Sequence, residues 1–392
     1  MDRMAHRIER ITQWLMIIGF MVLLWAPLSD QVFDWGPKID LGEKRNLAGF
    51  ASLENVSVAE FPDAFEKYYD DQFGLRSMLV RGYRLITSRL LGLSTEKVLI
   101  GEDGWLYYSG PVIDDFMGRR DSPYDHFDRW KDKLESWTDW FAERDMTYLF
   151  VVAPNKVTIY PEHLPERYRK RAGRTRMDRL KEYLAENSRV PLFDLRESMR
   201  EAKDLGLVYH PNDSHWTDLG AFIAFQEICR EISSATGVNM DCGSIEDYRF
   251  VNQVHEGDLG EMIGFGKAFS VDSLTLEPKT PFHQAQYMDR PEGADWLWHG
   301  MLLKENPEKT GKLLVFHDSF TRHGLIDFLG EQFNRSVFVY LRRPSFESVR
   351  YMVEREKPDV VIEEMAERFL SLWLKDEDLF YEEDSQPRTE GE

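Results

Sequence analysis

Apolar residues recur along this chain with two alternating spacings, which predict helices alternating with buried strands. Side chains between 127 and 141 repeat every three or four positions, as on one face of a helix. The near-continuous apolar run 146–153 follows and is typical of a central parallel strand. The same alternation predicts helices over 175–187, 219–232, 325–333 and 345–355, and strands over 190–195, 205–210, 312–317, 336–341 and 359–362. Together these elements predict an α/β fold, a doubly wound parallel sheet with flanking helices.

Breaks in this rhythm predict the domain boundaries. Residues 244–310, with glycine, proline and scattered aromatics, predict an inserted irregular or β-rich segment near the site. Residues 30–60 have no clear period and predict a linker, so the folded domain is expected over 61–374. Residues 375–392 carry eight acids against two bases and predict an acidic flexible tail.

The N-terminus has the pattern of a membrane anchor. Three arginines within residues 1–10 precede Ile11–Ser29, nineteen residues without a charge. A helix of this length reaches about 28 Å, close to the thickness of the hydrocarbon core of a bilayer. The basic flank predicts that residues 1–10 are cytoplasmic and that the rest of the chain is exported. Pro27 directly after Ala26 favours an uncleaved signal anchor over a cleaved signal peptide.

Two polar motifs follow predicted strands. Asp213 and His215 lie in Asp-Ser-His-Trp, between the predicted strand 205–210 and the helix that Thr217 opens. Ser319 follows the predicted strand 312–317, at the edge where open α/β sheets collect ligand sites. A serine hydroxyl needs an imidazole to accept its proton, and the imidazole needs a carboxylate to fix its tautomer. The motifs therefore predict a catalytic triad of Ser319, His215 and Asp213.

Other roles are open to the same residues. Asp213 also suits a turn and Ser319 a helix cap. His210, Asp213 and His215 would be metal ligands only with a further defined ligand, so no metal is predicted. His317 and His323 flank Ser319, but a base usually approaches from another loop, which favours His215. No dinucleotide or phosphate-binding glycine motif is present, and no cofactor is predicted.

The two motifs resemble those of the SGNH-hydrolase-like domain of the alginate O-acetyltransferase family, the AlgJ and AlgX type. In that family a D-x-H-W element precedes a serine element. Further similar segments occur in the expected order between residues 60 and 370: 65–76, 101–107, 153–165 and the Gly-Asp-Leu at 257–259. The resemblance implies that Ser319 is the nucleophile, His215 the general base and Asp213 the acid that orients it.

The resemblance also implies an activity and a location. It implies an O-acetyltransferase that moves an acetyl group through a serine acyl-enzyme onto a hydroxyl of an exported polysaccharide, alginate or a related exopolysaccharide. The implied partners are that polysaccharide and a membrane-bound O-acyltransferase that supplies acetyl groups across the membrane. The implied location is the inner membrane, single-pass, with the catalytic domain in the periplasm. The alternatives are a polysaccharide O-acetyl esterase and a non-catalytic glycan-binding scaffold.

Three further residues are candidates for the oxyanion or the substrate. Asn155 follows the predicted strand 146–153, and its side chain could join the backbone N–H of Ser319 as an oxyanion donor or form a turn after Pro154. Lys156 and Arg322 are candidates for contact with an acidic sugar, with solvated surface charge as the alternative.

The net charge bears on the expected partners, and the two cysteines bear on disulfide bonding. The net charge of −20 excludes nucleic acid as an expected partner. It also favours a neutral or less acidic polymer over alginate, unless a local basic groove compensates. Cys229 and Cys242 are the two cysteines, and either a disulfide or a buried free thiol at Cys229 fits the pattern.

Overall fold

The computed structural model describes residues 2–37, 47–50, 52, 57–84, 94–95, 97–119, 126–263, 269–279, 285–288 and 301–371. They form two compact units, Met1–Thr95 with Gly260–Ala268, and Glu96–Leu259 with Phe269–Glu392. The predicted tail at 375–392 lies outside the described residues. The predicted domain boundary at residue 61 stays a prediction.

The first unit is helical where it is described. Its helices are α1 Asp2–Phe33, α2 Phe61–Gln72 and α3 Arg76–Arg84. Within α1, the stretch Arg10–Phe33 is long and apolar enough to cross a bilayer, and its most apolar part is not buried against the protein. No other helix in the described part of the chain is both long enough and apolar enough to do so. Helix α1 extends past Ser29, so the first residues of the predicted linker are helical.

The second unit is built on one seven-stranded sheet. The strands of this unit are β1 Val98–Ile100, β2 Leu106–Tyr108, β3 Thr147–Ala153, β4 Phe193–Asp194, β5 Tyr248–His255, β6 Val271–Pro278, β7 Gln286–Tyr287, β8 Leu302–Glu305, β9 Lys312–His317, β10 Arg335–Tyr340 and β11 Val360–Ala366. The large sheet has the order β4-β3-β11-β9-β10-β8-β7. Its first five strands are parallel, whereas β8 and β7 add an antiparallel edge.

Helices cover both faces of this sheet, as the sequence predicts. The helices of this unit are α4 Pro111–Phe116, α5 Phe127–Ala142, α6 Lys156–Ile159, α7 Glu166–Arg169, α8 Arg176–Asn187, α9 Arg196–Glu201, α10 Asp218–Thr236, α12 Ile326–Gly330 and α13 Phe346–Glu356. Helix α11, Asp258–Met262, begins in this unit, and its last three residues belong to the first. Apolar residues of α10 and α12 pack on one face. Those of α5, α8 and α13 pack on the other. The predicted doubly wound α/β fold is therefore confirmed.

The predicted strand over 205–210 is wrong. The structure has a loop there, with a single β-bridge between Tyr209 and Trp216. Two backbone groups of this segment form hydrogen bonds with side chains and not with a strand. The N–H of Val208 donates to the Tyr160 hydroxyl, and the Leu207 carbonyl accepts from the Thr217 hydroxyl. The strand predicted over 190–195 shrinks to the two residues of β4, at the edge of the sheet.

The predicted insertion divides between two places. Strands β5 and β6 form an antiparallel pair outside the main sheet, as a β-rich segment would. Strands β7 and β8 instead join the main sheet, which the sequence did not indicate. Cys229 and Cys242 form a disulfide, which decides between the two open readings of the cysteines.

Candidate active site

Ser319 lies at the carboxyl edge of the sheet, two residues beyond the end of β9. The side chain of Asp318 accepts hydrogen bonds from the backbone N–H of Phe320 at 2.8 Å and of Ala366 at 2.9 Å. The first bond caps the turn that contains Ser319, and the second ties this turn to the end of β11. Ser319 is therefore held on a short, fixed connection between a buried strand and a helical turn.

His215 and Asp213 lie on the loop that precedes α10. Thr217 caps this helix by accepting a hydrogen bond from the Gly220 N–H. The indole N–H of Trp216 donates to the His323 carbonyl at 2.8 Å, so this loop is bonded to the segment that follows Ser319. In that segment Gly324 has φ +93°, in the left-handed region that favours glycine.

A chain of hydrogen bonds joins the three residues. The Ser319 hydroxyl lies 2.8 Å from Nε2 of His215. Nδ1 of the same ring lies 2.7 Å from Oδ1 of Asp213, which also accepts the backbone N–H of His215 at 2.9 Å. His215 and Asp213 are buried and Ser319 is half-buried. This geometry allows an imidazole to accept a proton from the serine while the carboxylate holds the ring.

Two more residues hold Asp213 from the other side. Its Oδ2 accepts from His255 Nε2 at 2.9 Å and from the Asp258 backbone N–H at 3.1 Å. Burial opposes the ionisation of Asp213, but the hydrogen bonds from His215 and His255 outweigh it and keep its pKa well below the usual value. Asp213 is thus a carboxylate with both oxygens engaged.

Asp258 bonds the neighbouring residue of the loop. Its carboxylate accepts from the backbone N–H and the hydroxyl of Ser214, each at 2.7 Å. Burial, followed by the charge of Asp213, raises the pKa of Asp258. A Cβ at Gly257 would lie 2.2 Å from the Asn212 carbonyl oxygen, so glycine permits this close approach.

Glu364 lies beneath the serine turn. Its Oε2 accepts from the Asp318 backbone N–H at 3.2 Å and from the Thr321 hydroxyl at 2.9 Å. Glu364 and Asp318 are both fully buried. Burial, followed by the charge of Asp318, raises the pKa of Glu364 well above its usual value.

Burial lowers the pKa of three other histidines near the site. Burial lowers the pKa of His317 to about 4, and its Nδ1 contacts the Asp318 carbonyl at 2.6 Å. His323 stacks on the His215 ring with centroids 4.0 Å apart, and burial lowers its pKa to about 4. His210 stacks on His255, and burial lowers its pKa to about 3. His215 is the histidine that bonds Ser319.

The three additional candidates occupy different environments. Asn155 follows β3 and is 4% exposed, and its carboxamide makes no hydrogen bond with a described residue. Lys156 is buried, with Nζ donating to the carbonyls of His210, Pro211 and Asp213 at 3.0, 3.0 and 2.6 Å. Its Nζ therefore braces the loop that carries Asp213, while contact with the substrate stays a prediction. Arg322 is exposed and stacks over Tyr340 at 4.4 Å.

A metal ion has a partial set of ligand atoms here. Asp213, His215 and Asp258 place three such atoms within 4.8 Å of one another, the one group of this kind in the described residues. The His215 nitrogen on this side already bonds Asp213, and the Asp258 carboxylate already bonds Ser214. Bound metal would have to replace these hydrogen bonds.

Several residues around the site were not predicted from the sequence. His255 and Glu364 come from β5 and β11 and carry no motif of their own. Asp258 could have been found from the sequence, because it lies in the Gly-Asp-Leu segment at 257–259 that resembles the family.

The parallel sheet, with serine, histidine and aspartate at its carboxyl edge, places this chain in the SGNH-hydrolase-like class. Residues 98–367 match the family described as "SGNH hydrolase-like domain, acetyltransferase AlgX". This match covers more than half of the chain, so the chain belongs to that family.

Named relatives agree with this membership, and one solved structure has a similar fold. The chain is 20% identical over 337 residues to a probable alginate O-acetylase AlgJ of Pseudomonas syringae pv. tomato, covering 83% of each chain. It is 24% identical over 280 residues to the probable AlgJ of Pseudomonas aeruginosa, covering 70% of this chain and 66% of that protein. The structure of Bacillus cereus PatB1 is similar in fold, with a TM-score of 0.53 at 15% identity over 72% of this chain and 99% of PatB1.

Proposed function

We propose that the protein is an O-acetyltransferase that works through an acetyl-serine intermediate on Ser319. The observation that carries the proposal is the hydrogen-bonded chain from Ser319 through His215 to Asp213, in a family of acetyltransferases. In this reading the three residues act as a catalytic triad.

The first half-reaction acetylates the serine. The Ser319 oxygen attacks the acetyl carbonyl carbon of the donor ester while its proton passes to Nε2 of His215. When the tetrahedral intermediate collapses, the bond to the donor oxygen breaks and His215 returns the proton to that oxygen. Asp213 stabilises the imidazolium between these steps. The proposed oxyanion donors are the backbone N–H of Ser319, at the start of the helical turn that follows β9, and the Asn155 carboxamide.

The second half-reaction transfers the acetyl group. A sugar hydroxyl enters, loses its proton to His215 and attacks the acetyl-serine carbonyl; collapse releases the acetylated sugar and returns the proton to Ser319. Water in place of the sugar would give an esterase. Family membership and the alginate O-acetylase names of the relatives support transfer to an exported polysaccharide.

The proposed setting is the outer face of the inner membrane. The apolar helix Arg10–Phe33 would be the anchor, with residues 1–10 cytoplasmic and the catalytic unit in the periplasm. There a membrane-bound O-acyltransferase would supply the acetyl groups. The anchor supports this arrangement because it would keep the catalytic unit near such a partner.

The test uses the purified full chain in detergent with a chromogenic aryl acetate as donor. Mass spectrometry should find an acetyl group on Ser319, and Ser319→Ala should abolish both this adduct and turnover. Ser234→Ala, at an exposed serine on α10, is the matched control and should behave as wild type. Addition of an oligosaccharide should divert acetyl from free acetate to the sugar. Release of acetate alone would establish the esterase, and no turnover with no adduct would establish the scaffold.

A further inference from the structure

Helix α3 begins against the C-terminal end of α1, the helix proposed to cross the membrane. The backbone N–H of Leu75 donates to Oδ2 of Asp30 at 2.7 Å. A Cβ at Gly74 would lie 1.9 Å from the Pro27 carbonyl oxygen, so glycine permits this close approach. Asp30 is the first charged residue after the uncharged run Ile11–Ser29. The start of α3 is therefore at the depth where the hydrocarbon core of a bilayer would give way to the lipid headgroups.

Other hydrogen bonds hold α3 at this depth. The Asp30 carboxylate also accepts from the backbone N–H of Gly36, and the Ser77 hydroxyl donates to the Pro37 carbonyl at 3.1 Å. Asp30 and Leu75 are 45 residues apart in sequence. The first turn of α3 is therefore fixed to the end of α1 and to the residues that follow it.

Helix α3 exposes an apolar face. Leu79 is 38% exposed and Tyr83 is 70% exposed, and they share one face because they are four residues apart. Met78, beside them, is 42% exposed. The same spacing continues in the sequence at Ile86 and Leu90. An exposed apolar stripe of this kind is typical of a helix whose apolar face lies on another surface.

The charge of this segment is opposite to that of the whole chain. Residues 76–95 carry four arginines and no acid, in a chain of net charge −20. Helix α2, which precedes them, carries four acids and one lysine, so the positive charge begins with α3. Basic residues beside an apolar helix face are typical of helices that bind a surface of anionic lipid. The position of α3 at headgroup depth favours lipid over a protein partner.

We propose that α3 lies on the outer surface of the membrane and binds anionic phospholipid. Met78, Leu79 and Tyr83 would insert among the lipids, at the depth that tyrosine favours, and the arginines of residues 76–95 would attract the lipid phosphates. This inference rests on the proposed membrane anchor and adds a second attachment to it. The second unit begins at residue 96, directly after this segment in sequence.

Fluorescence quenching of the full chain in lipid nanodiscs tests the attachment. A bimane label is placed on Leu79→Cys, since the two native cysteines are paired in a disulfide. The discs contain equal mole fractions of nitroxide-labelled phosphatidylglycerol or nitroxide-labelled phosphatidylcholine, with the nitroxide near the headgroup. We expect both lipids to quench the label, and phosphatidylglycerol to quench it about twofold more strongly because the arginines concentrate anionic lipid. Added salt should reduce this preference.

The arginines are tested in the same labelled chain. Replacing three of them should bring the two lipids to equal quenching: Arg81→Gln, Arg84→Gln and Arg89→Gln. The matched control removes the same charge from exposed positions of the second unit and should keep the preference: Arg171→Gln, Arg230→Gln and Arg249→Gln. Melting temperatures check that each variant is folded.

Two results would overturn the inference. A label at residue 79 that neither lipid quenches would assign this face to a protein partner. Equal quenching by the two lipids in the chain that keeps its arginines would remove anionic lipid as the ligand. Failure of the anchor itself would appear separately, as a label on Ile18→Cys, within α1, that a nitroxide deep in the acyl chains does not quench.

Discussion

Glu364 offers a sharp test of how the serine turn is held. Its Oε2 accepts from the Asp318 N–H and the Thr321 hydroxyl, which lie on either side of Ser319. Glu364→Leu gives an apolar side chain of similar size and removes that acceptor. Glu364→Gln keeps an acceptor oxygen at a similar size but cannot ionise.

The magnitude follows from the two hydrogen bonds. A buried donor left without an acceptor costs about 1–3 kcal/mol, so leucine should lower the free energy of unfolding by about 2–6 kcal/mol. Because both donors flank the nucleophile, we also expect kcat on an aryl acetate to fall about a hundredfold. Glutamine should cost less than about 1 kcal/mol and keep most of the activity, since its amide oxygen can accept from the same two donors.

Urea unfolding and initial rates would be measured on the same preparations. Glu354→Gln, at an exposed glutamate of α13, controls for loss of a glutamate elsewhere. Full kcat in Glu364→Leu would refute the positioning role. A glutamine variant as impaired as leucine would show instead that the site needs an ionised carboxylate at this position.

Three further predictions concern catalysis, pH and topology. Ser319→Ala, His215→Ala and Asp213→Ala should each lower aryl acetate turnover by about 10³-fold or more, and the Ser319/His215 double variant should be little worse than either single one; multiplying losses would mean that the residues act independently. Burial lowers the pKa of His317 to about 4, from the value of 6.5 that applies to the unfolded chain. Between these two values the unfolded state binds more protons than the folded state, so the folded state loses stability as the pH falls. Between about pH 7.5 and 4.5 the wild type should lose about 2–3 kcal/mol more than His317→Asn, measured by urea unfolding, and equal slopes would contradict this. The segment Ile11–Ser29 should remain in the mature protein, and N-terminal sequencing that starts beyond residue 25 would exclude the anchor.

Local patterns in the sequence determined most of the sheet. The apolar run at 312–317 coincides with β9, and the three- and four-residue spacing at 127–141 predicted α5 to within a residue. These predictions succeed because periodicity along a segment reports which face is buried, whatever lies against it. Ser319 was available in the same way, as a residue that follows the strand at 312–317, whereas Asp213 and His215 were found from their Asp-Ser-His-Trp motif.

Tertiary structure decided the rest, because partners and burial come from distant parts of the chain. For Lys156 the sequence left contact with the substrate and a solvated surface charge as alternatives, yet the side chain is buried and three carbonyls of the loop at 210–213 surround its Nζ. The segment 205–210 had the composition of a strand, but a tyrosine hydroxyl and a threonine hydroxyl bond two of its backbone groups. Glu364 lies about forty-five residues from Ser319 in sequence and bonds the serine turn only because β11 pairs with β9. Hydrogen-bond partners, local charge and solvent exposure depend on such long-range contacts, which no local pattern of residues encodes.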